Sequence, residues 1–425
     1  MISEKEYRRR RDKLALVLPK QSVTVLFSGT HKTRSNDTDY PFRQDSNFYY
    51  MSGFKEDNAI LVFIKQKKKY QAILFVNKKD KTAEMWNGKR LGVKKATKRF
   101  LVDHVYTKDE FEKRFKEYLV EKSILCFDFG LDYSKVKILK RYSKNIATHK
   151  DISPTIGTMR LIKSNAEIAL IKKAITITKK AHHKVMKLNK VSKNEYQLLA
   201  NLEYTFKSNG AYNDAYTSIV ASGNNANTLH YIDNNKPLYK GDLILIDAGA
   251  EYEYYASDIT RTIPVNGKFT VAQGELYELV LSVEKKIIKM IKPNILRSTL
   301  HKKSEELLVE GMIRLGILSG NVKNIIKKKK HKLYYPHGIG HWMGLDVHDT
   351  SPYKYAQGKE IPLQEGMVLT IEPAIYIDEN DTSVPKKYRG LGIRIEDDIL
   401  VTKDGYENMS KGIIKEIYDI ENMHS

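Results

Sequence analysis

Gly241-Asp-Leu-Ile-Leu-Ile-Asp-Ala-Gly-Ala250 is an apolar run that ends in an acid between two glycines. Leu243 to Asp247 therefore reads as a buried strand. An aspartate in such a place often only opens a turn, so Asp247 alone decides little. Further on, Tyr255-Ala-Ser-Asp-Ile-Thr-Arg-Thr262 carries a second acid, Asp258, on a strand expected over Tyr254 to Thr262. A hairpin turning at Tyr252 and Glu253 would set Asp247 opposite Asp258. Directly opposed residues have Cβ atoms about 4.5–5.5 Å apart, and like charges there repel. Two acids beside an apolar strand need a compensating cation.

Three later segments extend the pattern. Pro336-His-Gly-Ile-Gly-His-Trp-Met-Gly-Leu-Asp-Val-His-Asp349 holds His337, His341 and His348 in a glycine-rich stretch with no helical stripe. Imidazole is the commonest metal ligand and a usual acid–base group, and glycine lets backbone approach a site closely. Met367-Val-Leu-Thr-Ile-Glu-Pro373 is another apolar strand ending in an acid, Glu372. In Gly392-Ile-Arg-Ile-Glu-Asp-Asp-Ile399, on a strand expected over Ile393 to Leu400, Arg394 and Glu396 share one face. Such a polar face is ordinarily in water. Four carboxylates and one histidine on apolar strands are costly to bury unpaired. An oxygen-rich set with one imidazole suits Mn²⁺, and also Zn²⁺, Co²⁺ or Fe²⁺. Two ions about 3.5–4 Å apart could share carboxylates.

The remainder of the chain frames this set. Its 425 residues suggest two domains, and 41% hydrophobic with 29% charged residues indicates a globular protein. The first 150 residues read as α/β, with strands at Val23–Phe27, Ala59–Ile64, Tyr70–Phe75 and Ile124–Phe127 and helices at Glu4–Leu16 and Lys108–Leu119. Pro154 and Gly157 punctuate a boundary, and Ser164-Asn-Ala-Glu167 is a capping box that opens a helix. His182 and His183 on that helix have no acidic partner nearby and read as packing or surface residues. Further helices are expected at Val271–Ile291 and Thr299–Leu315.

Composition also excludes functions. No apolar run approaches the roughly 18 residues of a membrane span, and the charged start, Met1 to Lys13, is not a secretory signal. A single cysteine, Cys126, cannot form an internal disulfide and suits a reducing cytoplasm. The net charge of +22 raises nucleic acid as a partner. The lysines are spread along the chain, however, and the densest run, Lys327 to Lys330, lacks interleaved aromatics, so nucleic acid is not expected.

The ordered set Asp247, Asp258, His341, Glu372, Glu396 resembles the pita-bread metallopeptidases, which include methionine aminopeptidases, prolidases and aminopeptidases P. The bacterial aminopeptidase P branch is the nearer likeness. It rests also on Asp39-Tyr-Pro-Phe-Arg-Gln-Asp-Ser-Asn-Phe48, Ala83-Glu-Met-Trp-Asn-Gly-Lys-Arg-Leu-Gly92, Leu229-His-Tyr231 and Gly390-Leu-Gly-Ile-Arg-Ile-Glu-Asp-Asp398. The resemblance implies an α/β ribonuclease-H-like domain over 1–160 and an α+β pita-bread catalytic domain over 161–425. It implies two divalent ions, Mn²⁺ first among them: Asp247 on one, His341 and Glu372 on the other, Asp258 and Glu396 shared. A hydroxide between the ions would attack, with Glu372 taking its proton. His230, His337 and His348 would handle substrate, Tyr216 and Arg394 would orient the bridging carboxylates and the substrate terminus, and Trp86 would reach a neighbouring copy in a homo-oligomer, a tetramer or dimer. The reaction implied is release of the first residue from peptides with proline second. Prolidase action on dipeptides, or a non-catalytic binding module, are the alternatives. Ser153 and the arginine-free loop from Thr350 to Pro362 depart from the family pattern and bear on fine substrate preference.

Overall fold

The computed structural model describes residues 1–423. The chain divides into two compact units, Met1–Met159 and a second from Arg160 onward.

The first unit is built on a six-stranded sheet in the order His104–Thr107, Tyr70–Val76, Ile60–Lys65, Ser22–Phe27, Ile124–Phe127, Thr148–Asp151. Ile60–Lys65 runs antiparallel to both its neighbours, and the other adjacent pairs are parallel. Every residue of Ser22–Phe27 and Ile60–Lys65 is buried. Strands covered on both faces have no need to alternate, which is why they read as unbroken apolar runs. Phe111, Phe115 and Leu139 from two helices pack on Val23, Val25 and Leu125. Cys126 is buried in its strand. Trp86 lies on the short helix Lys81–Asn87 and is 78% exposed.

The second unit opens with the helix Asn165–Leu188. The Ser164 hydroxyl accepts from the Glu167 amide and the Glu167 carboxylate accepts from the Ser164 amide, closing the anticipated capping box. His182 is fully buried on this helix, with Nε2 3.0 Å from the Ala248 carbonyl oxygen. The helices Glu195–Ser208, Val271–Ile288 and Arg297–Arg314 follow. The third of these four ends three residues before the expected Ile291, where Pro293 lies just ahead. Leu243–Asp247 is central to a three-stranded antiparallel sheet with Ile219–Ser222 and Thr260–Pro264. Leu243 to Ile246 are almost fully buried, each worth about 1.5–3 kcal/mol by transfer from water.

Three strand expectations are corrected. The turn falls at Glu253 and Tyr254, whose φ angles are 51° and 69°. Two left-handed residues make the tight hairpin turn that matches strand twist. This places Thr260, not Asp258, opposite Asp247. The strand expected over Tyr254–Thr262 is two, Tyr255–Ala256 and Thr260–Pro264. That expected over Ile393–Leu400 is likewise two, Gly392–Arg394 and Asp397–Val401. Asp258 and Glu396 occupy the gaps. Their amides leave the ladders to bond across: Glu396 N–H to the Thr260 carbonyl (3.1 Å), and Asp258 N–H to Asp398 Oδ2 (3.1 Å).

Candidate metal centre

The strand gaps, the glycine-rich histidine segment and the end of Val368–Ile371 converge on a cavity of about 250 Å³. His230, Asp247, Asp258, His337, His341, His348, Glu372, Arg394 and Glu396 all line it. Leu229, Tyr376 and the glycines at 338 and 340 complete the wall. Gly340 is required there: a Cβ would lie 1.9 Å from the Thr370 carbonyl oxygen. That close approach lets the His341 amide bond the Thr370 hydroxyl (3.1 Å) and the Thr370 amide bond the His341 carbonyl (3.0 Å).

Asp258, His341 and Glu396 each offer a ligand atom, all within 4.8 Å of one another, a spacing that can hold a metal ion. His341 Nε2 lies 3.2 Å from Asp258 Oδ2 and 3.8 Å from Glu372 Oε1. Its Nδ1 faces the Trp342 carbonyl oxygen at 3.1 Å, which puts a proton on Nδ1 and leaves Nε2 facing Asp258 and the cavity. Thr260 Oγ1 donates to Glu396 Oε2 (2.7 Å), and Thr370 Oγ1 to Glu372 Oε1 (3.3 Å).

Asp247 is held from both sides. Tyr216 OH donates to its Oδ1 and Arg394 Nη2 to its Oδ2, each at 2.6 Å. Arg394 also donates through Nη1 to Tyr376 OH (2.7 Å) and through Nε to Thr260 Oγ1 (3.1 Å). Tyr216 and Arg394, expected to orient the bridging carboxylates and the substrate terminus, both bond Asp247, and Arg394 also bonds Thr260, which donates to Glu396. Arg394 and Glu396, whose shared face on an isolated strand would ordinarily lie in water, are both buried, as their place in the candidate site requires. Tyr376 OH in turn lies 3.1 Å from His337 Nε2, while His337 Nδ1 is 2.8 Å from the Gly338 carbonyl oxygen and 3.5 Å from Glu372 Oε2. The rings of His341 and His348 are 4.0 Å apart. His230 is exposed at the cavity.

The electrostatics fit cation binding. Burial and the neighbouring Asp258, Glu372 and Asp247 charges push Glu396 well above the usual carboxylate range. Burial lifts Glu372 to about 7, with His341 and Arg394 opposing and Asp258 and Asp247 adding. Asp247 is raised by burial against the pull of Arg394. Burial pulls His341 down, but the Asp258 hydrogen bond and the Asp258 and Glu372 charges outweigh it and lift it to about 9. His337, by contrast, is pushed down to about 4 by burial and by Arg394, so its imidazole is neutral. Oxygen donors that repel one another around a single imidazole are the donor chemistry of divalent ions.

The model of metallopeptidase family M24 matches residues 169–403, and that of the aminopeptidase P N-terminal domain matches residues 7–126. The chain belongs to metallopeptidase family M24. Its second unit has the α+β pita-bread fold, and its first is the α/β N-terminal domain that accompanies it in aminopeptidases P. Among M24 relatives, the Xaa-Pro aminopeptidase of Haemophilus influenzae is 40% identical, the match spanning 99% of this chain and 97% of that protein. The human Xaa-Pro aminopeptidase 3 is 38% identical across 100% and 86%. Escherichia coli aminopeptidase P with the inhibitor Pro-Leu superposes with a TM-score of 0.95 at 38% identity, across 100% and 98% of the two chains.

Sequence reasoning missed Thr260, Thr370, Tyr376 and Asp398 around this M24 centre. Thr260 and Thr370 carried a usable signal. Each sits two residues from a candidate ligand on the same apolar strand reading, so period-two spacing puts it on the ligand's face. Asp398, two residues from Glu396 on the strand expected over Ile393 to Leu400, carried the same signal; Tyr376 carried none, because its partners Arg394 and His337 are distant in sequence. Among the described residues no helix is long and apolar enough to cross a membrane.

Proposed function

We propose that this chain is a two-metal aminopeptidase that releases the N-terminal residue from peptides with proline in second position. One observation carries the reading: five metal-type side chains line one cavity in a chain that is similar end to end to Xaa-Pro aminopeptidases. In this reading Asp247, Asp258, His341, Glu372 and Glu396 would hold the ions. Mn²⁺ is the proposed metal, since hard oxygen donors dominate. When bound, the ions supply Lewis-acid charge and make a water acidic enough to ionise near neutral pH.

The chain's own groups do the remainder. Glu372, on the cavity wall beside His341, is the carboxylate proposed to take a proton from the attacking water. Neutral His337, braced by Tyr376 OH, forms a wall for the prolyl ring. His348 and His230 reach the peptide carbonyls and steady the developing oxyanion. Tyr216 and Arg394 fix Asp247, and Thr260 fixes Glu396. A prolyl nitrogen has no hydrogen to donate, so a site for this bond must read ring shape instead. Exposed Trp86 is proposed to meet a neighbouring copy in a homo-oligomer, and the two domains are proposed to run 1–160 and 161–425. A lone buried cysteine suits a cytoplasmic home.

The test is hydrolysis of an Xaa-Pro-Xaa tripeptide and an Xaa-Pro dipeptide by Mn²⁺-loaded protein. Release of the first residue from the tripeptide is expected. Cleavage of the dipeptide alone would replace this reading with a prolidase.

A further inference from the structure

The segment that carries His341 and His348 has almost no regular structure of its own, with one isolated bridge from Trp342 to Leu369. Something must nevertheless hold His348 beside His341. The chain closes a loop on itself, with the Asp349 amide donating to the Trp342 carbonyl (2.9 Å) and the Gly344 amide to the Asp346 carbonyl (3.0 Å). The Gly344 carbonyl accepts from the Ala256 amide (2.9 Å), which docks the loop next to the Asp258 gap.

A charged clamp lies across the base of this loop. Arg160 Nη2 donates to Asp346 Oδ2 at 2.6 Å and lies 3.2 Å from Asp349 Oδ1. Lys163 Nζ is 3.8 Å from Asp349 Oδ2, and Ser351 Oγ donates to Asp349 Oδ1 at 3.2 Å. Arg160, Lys163 and Asp349 are all buried. Gly344 makes the fit possible, because a Cβ there would meet Asp349 Oδ2 at 2.2 Å. A cation this deeply buried is retained only where carboxylates compensate it. Here those two carboxylates bracket His348, at positions 346 and 349.

We propose that Arg160 is a positioning residue for the reaction: by bridging Asp346 and Asp349 it fixes the loop that sets the His348 imidazole over the metal-ligand side chains. This rests on the aminopeptidase reading above, in which His348 touches the substrate. Neither Arg160 nor either aspartate lines the cavity, so each acts through His348 rather than on the peptide. A planar guanidinium spans two carboxylates where a lysine offers a point charge. Lysine at 160 therefore keeps the charge and loses the bridge.

Two variants test it, Arg160→Lys and Asp346→Asn, the latter at a half-buried carboxylate where folding tolerates the change better. Four quantities are read with metal-loaded protein: kcat, KM, metal per chain and unfolding midpoint. The expected result is a fall in kcat of about 10–100-fold, the usual range for groups that orient a functional side chain. KM stays within about twofold, with metal content as in the parent. Hydrogen exchange of the segment 342–352 should quicken at the Asp349 amide in both variants. Unchanged kcat and exchange would overturn the proposal. So would a loss of kcat only in step with metal content or midpoint, which marks a merely structural role. Should the parent protein cleave no tripeptide at all, the aminopeptidase reading fails, while the exchange result still decides whether the clamp holds the loop.

Discussion

Arg394 Nη2 meets Asp247 Oδ2 at 2.6 Å, with Tyr216 OH on the other oxygen at the same distance. The two residues lie in different antiparallel sheets, so this one contact ties the Leu243–Asp247 strand to Gly392–Arg394 across the cavity. Arg394 also donates to Tyr376 and Thr260, so a single guanidinium orients three partners.

Arg394→Met should therefore leave Asp247 held on one side only, by Tyr216. Metal affinity is expected to fall about 10–100-fold, as for loss of other groups that orient a ligand. Arg394→Lys should recover little of it, since one ammonium cannot serve three directions. Metal titration followed by peptide hydrolysis reads both effects.

Removing metal with a chelator should make stability depend on pH in a set direction. Without a cation, the folded-state pKa of Glu372 is raised from 4.5 to about 7. A raised group contributes its stability below its unfolded value and loses it as pH rises through the folded one. The contribution of Glu372 in chelated protein, read as the difference in unfolding midpoint between the parent and Glu372→Gln, is thus expected to fall between about pH 4.5 and 7. Adding Mn²⁺ should abolish that fall. A difference that rises over this window in chelated protein would contradict the account.

Gly340→Ala tests the close backbone approach. The added Cβ would sit 1.9 Å from a strand carbonyl that has little room to move. A destabilisation of about 1–3 kcal/mol is expected from overpacking. Activity should fall further than stability, because His341 is the next residue and must shift with the loop. Denaturant unfolding beside a hydrolysis assay separates the two.

Much of this was legible in the residues. Leu243–Asp247 and Ile124–Phe127 appear with the expected bounds because apolar runs buried on both faces leave little ambiguity. That Asp247, Asp258, His341, Glu372 and Glu396 would gather in one place was legible because four acids and a histidine on apolar strands are together costly to bury unpaired. The gaps at Asp258 and Glu396 were not. Nothing local announces that Glu396 will bond Thr260 or Asp258 will bond Asp398. The partners of Arg394 were hidden for the same reason: side-chain hydrogen bonds between sheets are fixed by packing, and spacing along the chain does not reveal them.

The most direct test of the central claim is release of the first residue from an Xaa-Pro-Xaa tripeptide by Mn²⁺-loaded protein, with Asp258→Asn measured beside it and metal per chain counted in both. The account predicts turnover by the parent with about two ions per chain, and loss of both turnover and metal in the variant. Undiminished cleavage by Asp258→Asn, or a parent that stays inactive with any divalent metal, would contradict it.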